Sequence, residues 1–163
     1  MNARLRLLKS EIRSDLDGIA EAYARLNRFG GRLDQPDKAI VVGYYLNVIY
    51  GLFESMLGRI ASLFDGQTTD HPSWHAQLLH RMTLDVPDVR PAVIGDALYR
   101  SLDEMRRFRH LFRNAYILDF DPDRLAIALK HASRAAMLYQ RDVERFLDFL
   151  DTLARGSDSD DRP

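Results

Sequence analysis

Apolar side chains recur every three or four residues along nearly the whole chain, which is the period of one face of an α-helix. The first such stripe consists of Leu5, Leu8, Ile12, Leu16, Ile19, Tyr23 and Leu26. No segment requires the strict alternation of apolar and polar residues that is typical of half-buried strands. The sequence therefore predicts an all-α fold.

Glycine, proline and aspartate interrupt this period at places that predict four long helices and one short one. The expected helices run from about Leu5 to Gly30-Gly31, from Pro36 to about Asp65, from Trp74 to Met82, from Pro91 to about Asn114, and from Pro122 to about Leu153. Asp121 is expected to cap the last helix, after a turn at residues 117–120. Helices of these lengths with short connections predict an up-and-down helical bundle.

The length of 163 residues fits one domain. We expect the helical domain to cover residues 1–155 and a polar, acidic, disordered tail to follow at 156–163. The N-terminal residues lack the apolar core of a signal peptide, and every long apolar stretch is interrupted by glycine, asparagine or charge. Cysteine is absent, which excludes disulfides and thiol catalysis. We therefore expect a cytoplasmic protein that does not contact a membrane.

The overall charge does not favour nucleic acid, because 23 lysines and arginines face 24 aspartates and glutamates. Contact with RNA would require a local cluster, and residues 106–116 contain four arginines and one histidine. On a helix, positions three and four apart are neighbours. The residues that would share one side are Arg106, Arg109, His110, Arg113 and Asn114.

This face carries groups that suit phosphodiester chemistry. Arginine binds phosphate through paired hydrogen bonds and stays charged, so Arg106 and Arg113 could bind RNA phosphates beside Arg109. Histidine can move a proton to or from a ribose 2′-hydroxyl or a leaving oxygen. Together they could cleave RNA by internal transesterification without a metal ion, with arginine stabilising the charge that develops on phosphate. The alternative is an arginine-rich surface that faces solvent or a dimer partner.

Glu54 in the second helix has two possible positions. It could face the arginine-rich helix and hold Arg109 or Arg113 through charge-assisted hydrogen bonds. It could instead face solvent and pair with Arg59 or with nothing. The two positions are equally compatible with a helix that is apolar around much of its circumference.

Two histidines near the short helix, His71 and His75, are spaced four residues apart. That spacing could hold a metal ion, but no carboxylate pattern accompanies it. We therefore expect surface or packing histidines, with no metal site and no cofactor. Trp74 is expected to pack the short helix onto the bundle, and Tyr50 to lie in an apolar seam rather than in a base-stacking platform.

Residues 109–116 resemble the motif of HepT-like ribonuclease toxins of the HEPN superfamily, in which Arg is followed after four to six residues by His and, after one more, by Tyr. Here Arg109 is followed after four residues by Asn114 and, after one more, by Tyr116. The flanking residues are also similar to one HepT-like branch: Leu118-Asp119-Phe120-Asp121, Trp74-His75, Leu78-Leu79 and Met82. The resemblance covers roughly residues 1–155 and implies a HEPN-like helical bundle.

The resemblance also implies a role for each motif position. Arg109 would bind the phosphate, and Tyr116 would be the residue that a partner nucleotidyltransferase modifies with AMP. The position of the motif histidine holds Asn114, which forms hydrogen bonds but does not titrate. His110, one turn earlier, could replace it as the proton carrier from a position displaced by about 5–6 Å.

Two hypotheses of different classes follow. In the first, the chain is the toxin of a type II toxin–antitoxin system: a homodimeric, metal-independent endoribonuclease, neutralised by a nucleotidyltransferase antitoxin that AMPylates Tyr116. In the second, which Asn114 favours, it is a catalytically inactive HEPN dimer that acts as a binding or scaffold module. A plain helical interaction protein is a third possibility, but it leaves the Arg/His/Tyr cluster unexplained.

Overall fold

The structure is a computed structural model that describes residues 2–29, 33–66, 74–114 and 121–159. Within these ranges the chain forms five helices: α1 (Asn2–Phe29), α2 (Pro36–Phe64), α3 (Trp74–Met82), α4 (Asp96–Asn114) and α5 (Pro122–Ser159). Among the described residues the β-type pairing is one isolated bridge between Val86 and Arg90. The predicted all-α fold of four long helices and one short one is confirmed.

The four long helices alternate in direction. For each neighbouring pair of helices, two contacts or close approaches show that residue numbers rise along one helix as they fall along the other: 9 with 151 and 23 with 139, 15 with 59 and 29 with 45, 43 with 112 and 51 with 109, and 95 with 142 and 108 with 128. These contacts make α1 antiparallel to α2 and α5, and α4 antiparallel to α2 and α5. The arrangement is the up-and-down bundle predicted from the sequence.

Helix α2 lies at the centre of the bundle and packs against the other four helices. Its apolar stripe is fully buried at Ile49, Phe53, Met56 and Ile60. By length and composition alone α2 could also cross a membrane, with a mean hydropathy of 1.4 in its most apolar window. Half of that window is buried inside the bundle, as is usual for the core helix of a globular protein.

The prediction that Pro91 begins the fourth helix is wrong, because α4 begins at Asp96. The N–H groups of Val93 and Ile94 donate to the carbonyl of Met82 at 2.9 and 3.2 Å. Met82 is the last residue of α3, so these bonds give its carbonyl the partners that the helix itself does not provide. The N–H of Gly95 donates to the Asp142 carboxylate at 2.8 Å. The N–H groups of residues 93–95 therefore donate to α3 and α5, and the helix begins only after them.

The connector between α3 and α4 is held by Arg90, which is almost fully buried. Its guanidinium donates to both carboxylate oxygens of Asp65, at 3.0 Å each. It also donates to the carbonyls of Leu84 and Pro91 in the connector and of Arg81 in α3. Asp65 is the C-cap residue of α2. This paired contact fixes the end of α3 against the end of α2.

The start of α5 follows the prediction, and its end extends farther than expected. Asp121 caps the helix by accepting a hydrogen bond from the N–H of Asp123 at 3.0 Å. The helix continues through Gly156 to Ser159, beyond the boundary expected at residue 155. One glycine in a helix costs about 0.5–1 kcal/mol, which does not by itself end a helix. The turn expected at residues 117–120 lies outside the described residues.

Candidate functional site

Glu54 is a buried carboxylate, 8% exposed, at the point where α2, α3 and α4 meet. Its Oε1 accepts a hydrogen bond from the Tyr50 hydroxyl at 3.1 Å and forms a hydrogen bond with His75 Nδ1 at 2.5 Å. Its Oε2 accepts from Arg109 Nη1 at 3.0 Å. Of the two positions left open for Glu54, the structure has the one that faces α4, with Arg109 as the partner, and Arg59 pairs with Asp15 of α1 instead.

Arg109 is fixed from three sides. Besides the bond to Glu54, its guanidinium lies over the ring of Tyr50, 5.5 Å from the centroid, in a cation–π contact. Gly51 lies beneath it, and a Cβ there would be 3.4 Å from Arg109 Nη1. A guanidinium has several N–H donors, so the bond to Glu54 leaves others for a ligand. Because its geometry is set in advance, this arginine loses little side-chain freedom when it binds a phosphate.

A cavity of about 360 Å³ opens beside these residues, and we call it the arginine cavity. Its lining residues are Tyr50, Glu54, His75, Arg106, Arg109, His110 and Arg113. The four α4 residues in that set were all predicted to share one face, and the structure brings them together with Glu54. Among the described residues of the lining, three arginines stand against one carboxylate, which makes this part of the cavity positive in a chain whose net charge is −1.

The remaining side chains of α4 confirm the helical spacing. Phe108 is buried and Phe112 half-buried, with their rings 5.9 Å apart, so they anchor the helix as an apolar seam. Arg107 points away from the cavity, where it pairs with Asp103 and Glu104. Arg106 also binds Asp103, at 2.9 Å, and still lines the cavity.

Two predicted site positions cannot be placed relative to the cavity. Asn114 is the last residue of α4, and the structure describes its backbone but not its side chain. Tyr116 lies in residues 115–120, which are outside the described residues. Their roles as motif residue and as modification site remain predictions.

The role of Tyr50 at the site was not predicted. Its ring is buried in the core, as the expected apolar seam requires, but its hydroxyl is turned to Glu54. Burial raises the pKa of this hydroxyl well above its ordinary value, and the adjacent negative charge of Glu54 raises it further. Tyr50 therefore stays a neutral hydrogen-bond donor to Glu54 at physiological pH.

His75 is the site residue that sequence reasoning missed. Its side chain is 53% exposed, as a surface histidine would be, yet it binds Glu54 and lines the arginine cavity. Glu54 lies 21 residues away, so the contact depends on how α3 packs on α2 rather than on local spacing. Within the described residues no group of three or more histidine, aspartate or glutamate side chains could hold a metal ion. His71 lies outside them.

Glycines on one face of α2 are the sequence signal that could have located α3 and α4. Gly43, Gly51 and Gly58 are spaced eight and seven residues apart, so they lie along one side of the helix. A Cβ at these positions would meet Phe112, Arg109 and Trp74, respectively. The absence of side chains there lets α3 and α4 approach the backbone of α2. Trp74 is half-buried against the core and packs α3 on the bundle, as predicted.

Comparison with known proteins gives a family match. A family model described as a HepT-like protein matches residues 41–150, which is more than half of the chain. That range contains every residue that lines the arginine cavity. No curated protein and no solved structure matches the chain.

Proposed function

The chain belongs to the HepT-like family, and from that premise we propose that it is a toxin that cleaves cellular RNA in the arginine cavity without a metal ion. One observation carries the proposal: Arg109, held in place by Glu54 and Tyr50, faces the same cavity as His110. Transesterification of RNA needs a group that binds the phosphate and a group that transfers a proton, and Arg109 and His110 supply these two functions.

The chemistry assigns a task to each group. The ribose 2′-hydroxyl loses a proton as its oxygen attacks phosphorus, and the departing 5′-oxygen gains one. His110 is the residue on α4 that can move a proton at near-neutral pH. Arg109, with Arg106 and Arg113 on the same face, binds the phosphate and stabilises the negative charge of the transition state.

Two partners complete the proposal. We propose a homodimer in which two cavities face each other across a cleft, which doubles the number of arginines available to RNA. Analytical ultracentrifugation should then give twice the chain mass of 18.8 kDa, and a monomer would contradict the proposed dimer.

The second partner that we propose is a nucleotidyltransferase antitoxin, which would transfer AMP to Tyr116 and so place a phosphate beside Arg109 and Arg113. Coexpression and peptide mass spectrometry should find Tyr116 adenylylated, and an unmodified Tyr116 in a neutralised pair would contradict this route.

The cleavage assay uses purified protein and total RNA in excess EDTA. Wild type should cleave, and Arg109→Ala and His110→Ala should each reduce the rate by at least about 100-fold. Arg107→Ala is the matched control, because Arg107 is an arginine of the same helix that pairs with Asp103 and Glu104 outside the cavity. If Arg107→Ala lost as much activity as Arg109→Ala, general positive charge rather than the cavity would explain cleavage.

The second candidate function is an inactive HEPN dimer that binds a partner or RNA, and Asn114 favours it because asparagine cannot titrate. Asn114→His separates the two. An inactive wild type with activity in Asn114→His would identify a relative that has lost its proton carrier. If neither the wild type nor any variant cleaved RNA, with every protein folded, the result would favour the binding module.

A further inference from the structure

RNA transesterification moves two protons, and the lining of the arginine cavity limits which groups can carry them. Arginine stays protonated, and the raised pKa of Tyr50 keeps its hydroxyl neutral. Glu54 is buried and occupied by three donors. Among the lining residues that the structure describes, the two remaining side chains are His75 and His110, and histidine is the side chain suited to proton exchange near neutrality.

The contact with Glu54 determines which nitrogen of His75 can accept a proton. An ionised carboxylate accepts hydrogen bonds and donates none, so the hydrogen in the 2.5 Å contact belongs to Nδ1. In the neutral ring, Nε2 then has the lone pair. A carboxylate that holds a histidine in this tautomer is the usual support of a general base. The side chain is half exposed, so a ligand in the cavity can reach it.

Glu54 also links the two halves of the site. One oxygen holds His75 of α3, and the other holds Arg109 of α4. The phosphate ligand and the imidazole are therefore positioned by the same buried carboxylate. Trp74 supports this arrangement, because its ring packs on α2 at Gly58 and meets the His75 ring edge-on with centroids 5.1 Å apart.

We infer that His75 is the general base of the reaction and His110 the general acid, an inference that rests on the proposed function. His75 Nε2 takes the proton of the 2′-hydroxyl, and O2′ attacks phosphorus. The bond from phosphorus to O5′ breaks with its electron pair on O5′, which takes a proton from His110. The products are a 2′,3′-cyclic phosphate and a 5′-hydroxyl. Exchange with water then deprotonates His75 and reprotonates His110, and Glu54 serves as a positioning residue.

The other charged and titratable groups described in the cavity of His75 come from two helices. Helix α2 contributes Tyr50 and Glu54, and helix α4 contributes Arg106, Arg109, His110 and Arg113. The test must therefore separate proton transfer by His75 from a mere effect on its neighbours. His75→Asn does so, because an amide nitrogen can still donate to Glu54 but the side chain accepts no proton in this pH range.

The experiment measures cleavage by the full-length protein on two RNAs. One has ordinary phosphodiester bonds, and the other has a single bond in which sulfur replaces O5′. A thiolate leaves without being protonated, so this substrate does not need a general acid. His75→Ala and His75→Asn should reduce kcat by at least about 100-fold on both substrates. His110→Ala should be equally slow on the ordinary RNA and close to wild type on the sulfur substrate. His80→Ala, an exposed histidine of the same helix outside the cavity, should stay within about twofold of wild type on both.

Other outcomes overturn the inference in distinguishable ways. Full activity in both His75 variants would remove His75 from the reaction and leave the proposed function intact. Full activity in His75→Asn alone would give His75 a structural role. Recovery of the His75 variants on the sulfur substrate would make His75 the acid, against the assignment as base. A folded wild type that cleaves neither substrate would overturn the proposed function and this inference with it.

Discussion

At the scale of single residues, Glu54 explains how an apolar core helix can contribute to the candidate site. A buried carboxylate loses its hydration, and that cost is offset here by three donors, one of them charged. The sequence left two positions open for Glu54, because α2 is apolar around much of its circumference. Only the packing of α3 and α4 decides between them. The arginine face of α4, in contrast, was predictable from helical spacing alone.

The coupling between Glu54 and Arg109 can be measured by a double-mutant cycle in urea unfolding. Glu54→Ala and Arg109→Ala should each lower the free energy of unfolding by on the order of 2 kcal/mol, because each leaves a poorly exposed charge without its partner. The double variant should lose at least about 1 kcal/mol less than the two single losses combined.

The control pair for this cycle is Glu21 and Arg25 on α1. This pair also forms a close ion pair, at 2.5 Å, but both side chains are more than half exposed. Exposed pairs at this spacing contribute little to stability, because solvent screens the two charges. A coupling energy for Glu54 and Arg109 no larger than that of the control would show that Glu54 does not hold Arg109 in solution.

At the scale of helices, the sequence predicted two helix starts that are set locally, those of α2 and α5. Pro36 begins α2 and Asp121 caps α5 because proline and aspartate act on the adjacent backbone. The start of α4 was missed because its boundary is set from a distance, by the carbonyl of Met82 and the carboxylate of Asp142. His75 was missed for the same reason, since its partner lies on another helix.

The close approach of α2 and α4 gives a test at Gly43. A Cβ at this position would lie 2.8 Å from the Phe112 ring, so Gly43→Ala has to displace a ring that anchors the end of α4. We expect it to lower the free energy of unfolding by about 1–3 kcal/mol and to reduce RNA cleavage. Thermal unfolding followed by circular dichroism measures the first effect.

Gly18→Ala on α1 is the matched control for Gly43→Ala. The nearest atom to its added Cβ would be Leu52 Cδ2 at 3.8 Å, an ordinary contact. This substitution should raise the free energy of unfolding by about 0.5–1 kcal/mol, which is the usual advantage of alanine over glycine inside a helix. Equal stabilisation by the two substitutions would mean that α4 does not approach α2 as closely as the structure shows.

At the scale of the whole molecule, positive charge is concentrated at one place although the net charge is small. The chain is nearly neutral, yet three arginines and two histidines line one cavity between α2, α3 and α4. The sequence predicted a local cluster on α4 because the composition excluded a general positive field. It could not predict the cavity itself, because a cavity arises from the arrangement of three helices around Glu54.

The chemical ends of the RNA fragments test the central claim, metal-free transesterification in the arginine cavity, most directly. Wild-type protein is incubated with RNA in excess EDTA, and the fragments are analysed by mass spectrometry. The account predicts 2′,3′-cyclic phosphate and 5′-hydroxyl ends, which Arg109→Ala no longer produces. Fragments with 5′-phosphate ends, or RNA left intact by the folded protein, would contradict it.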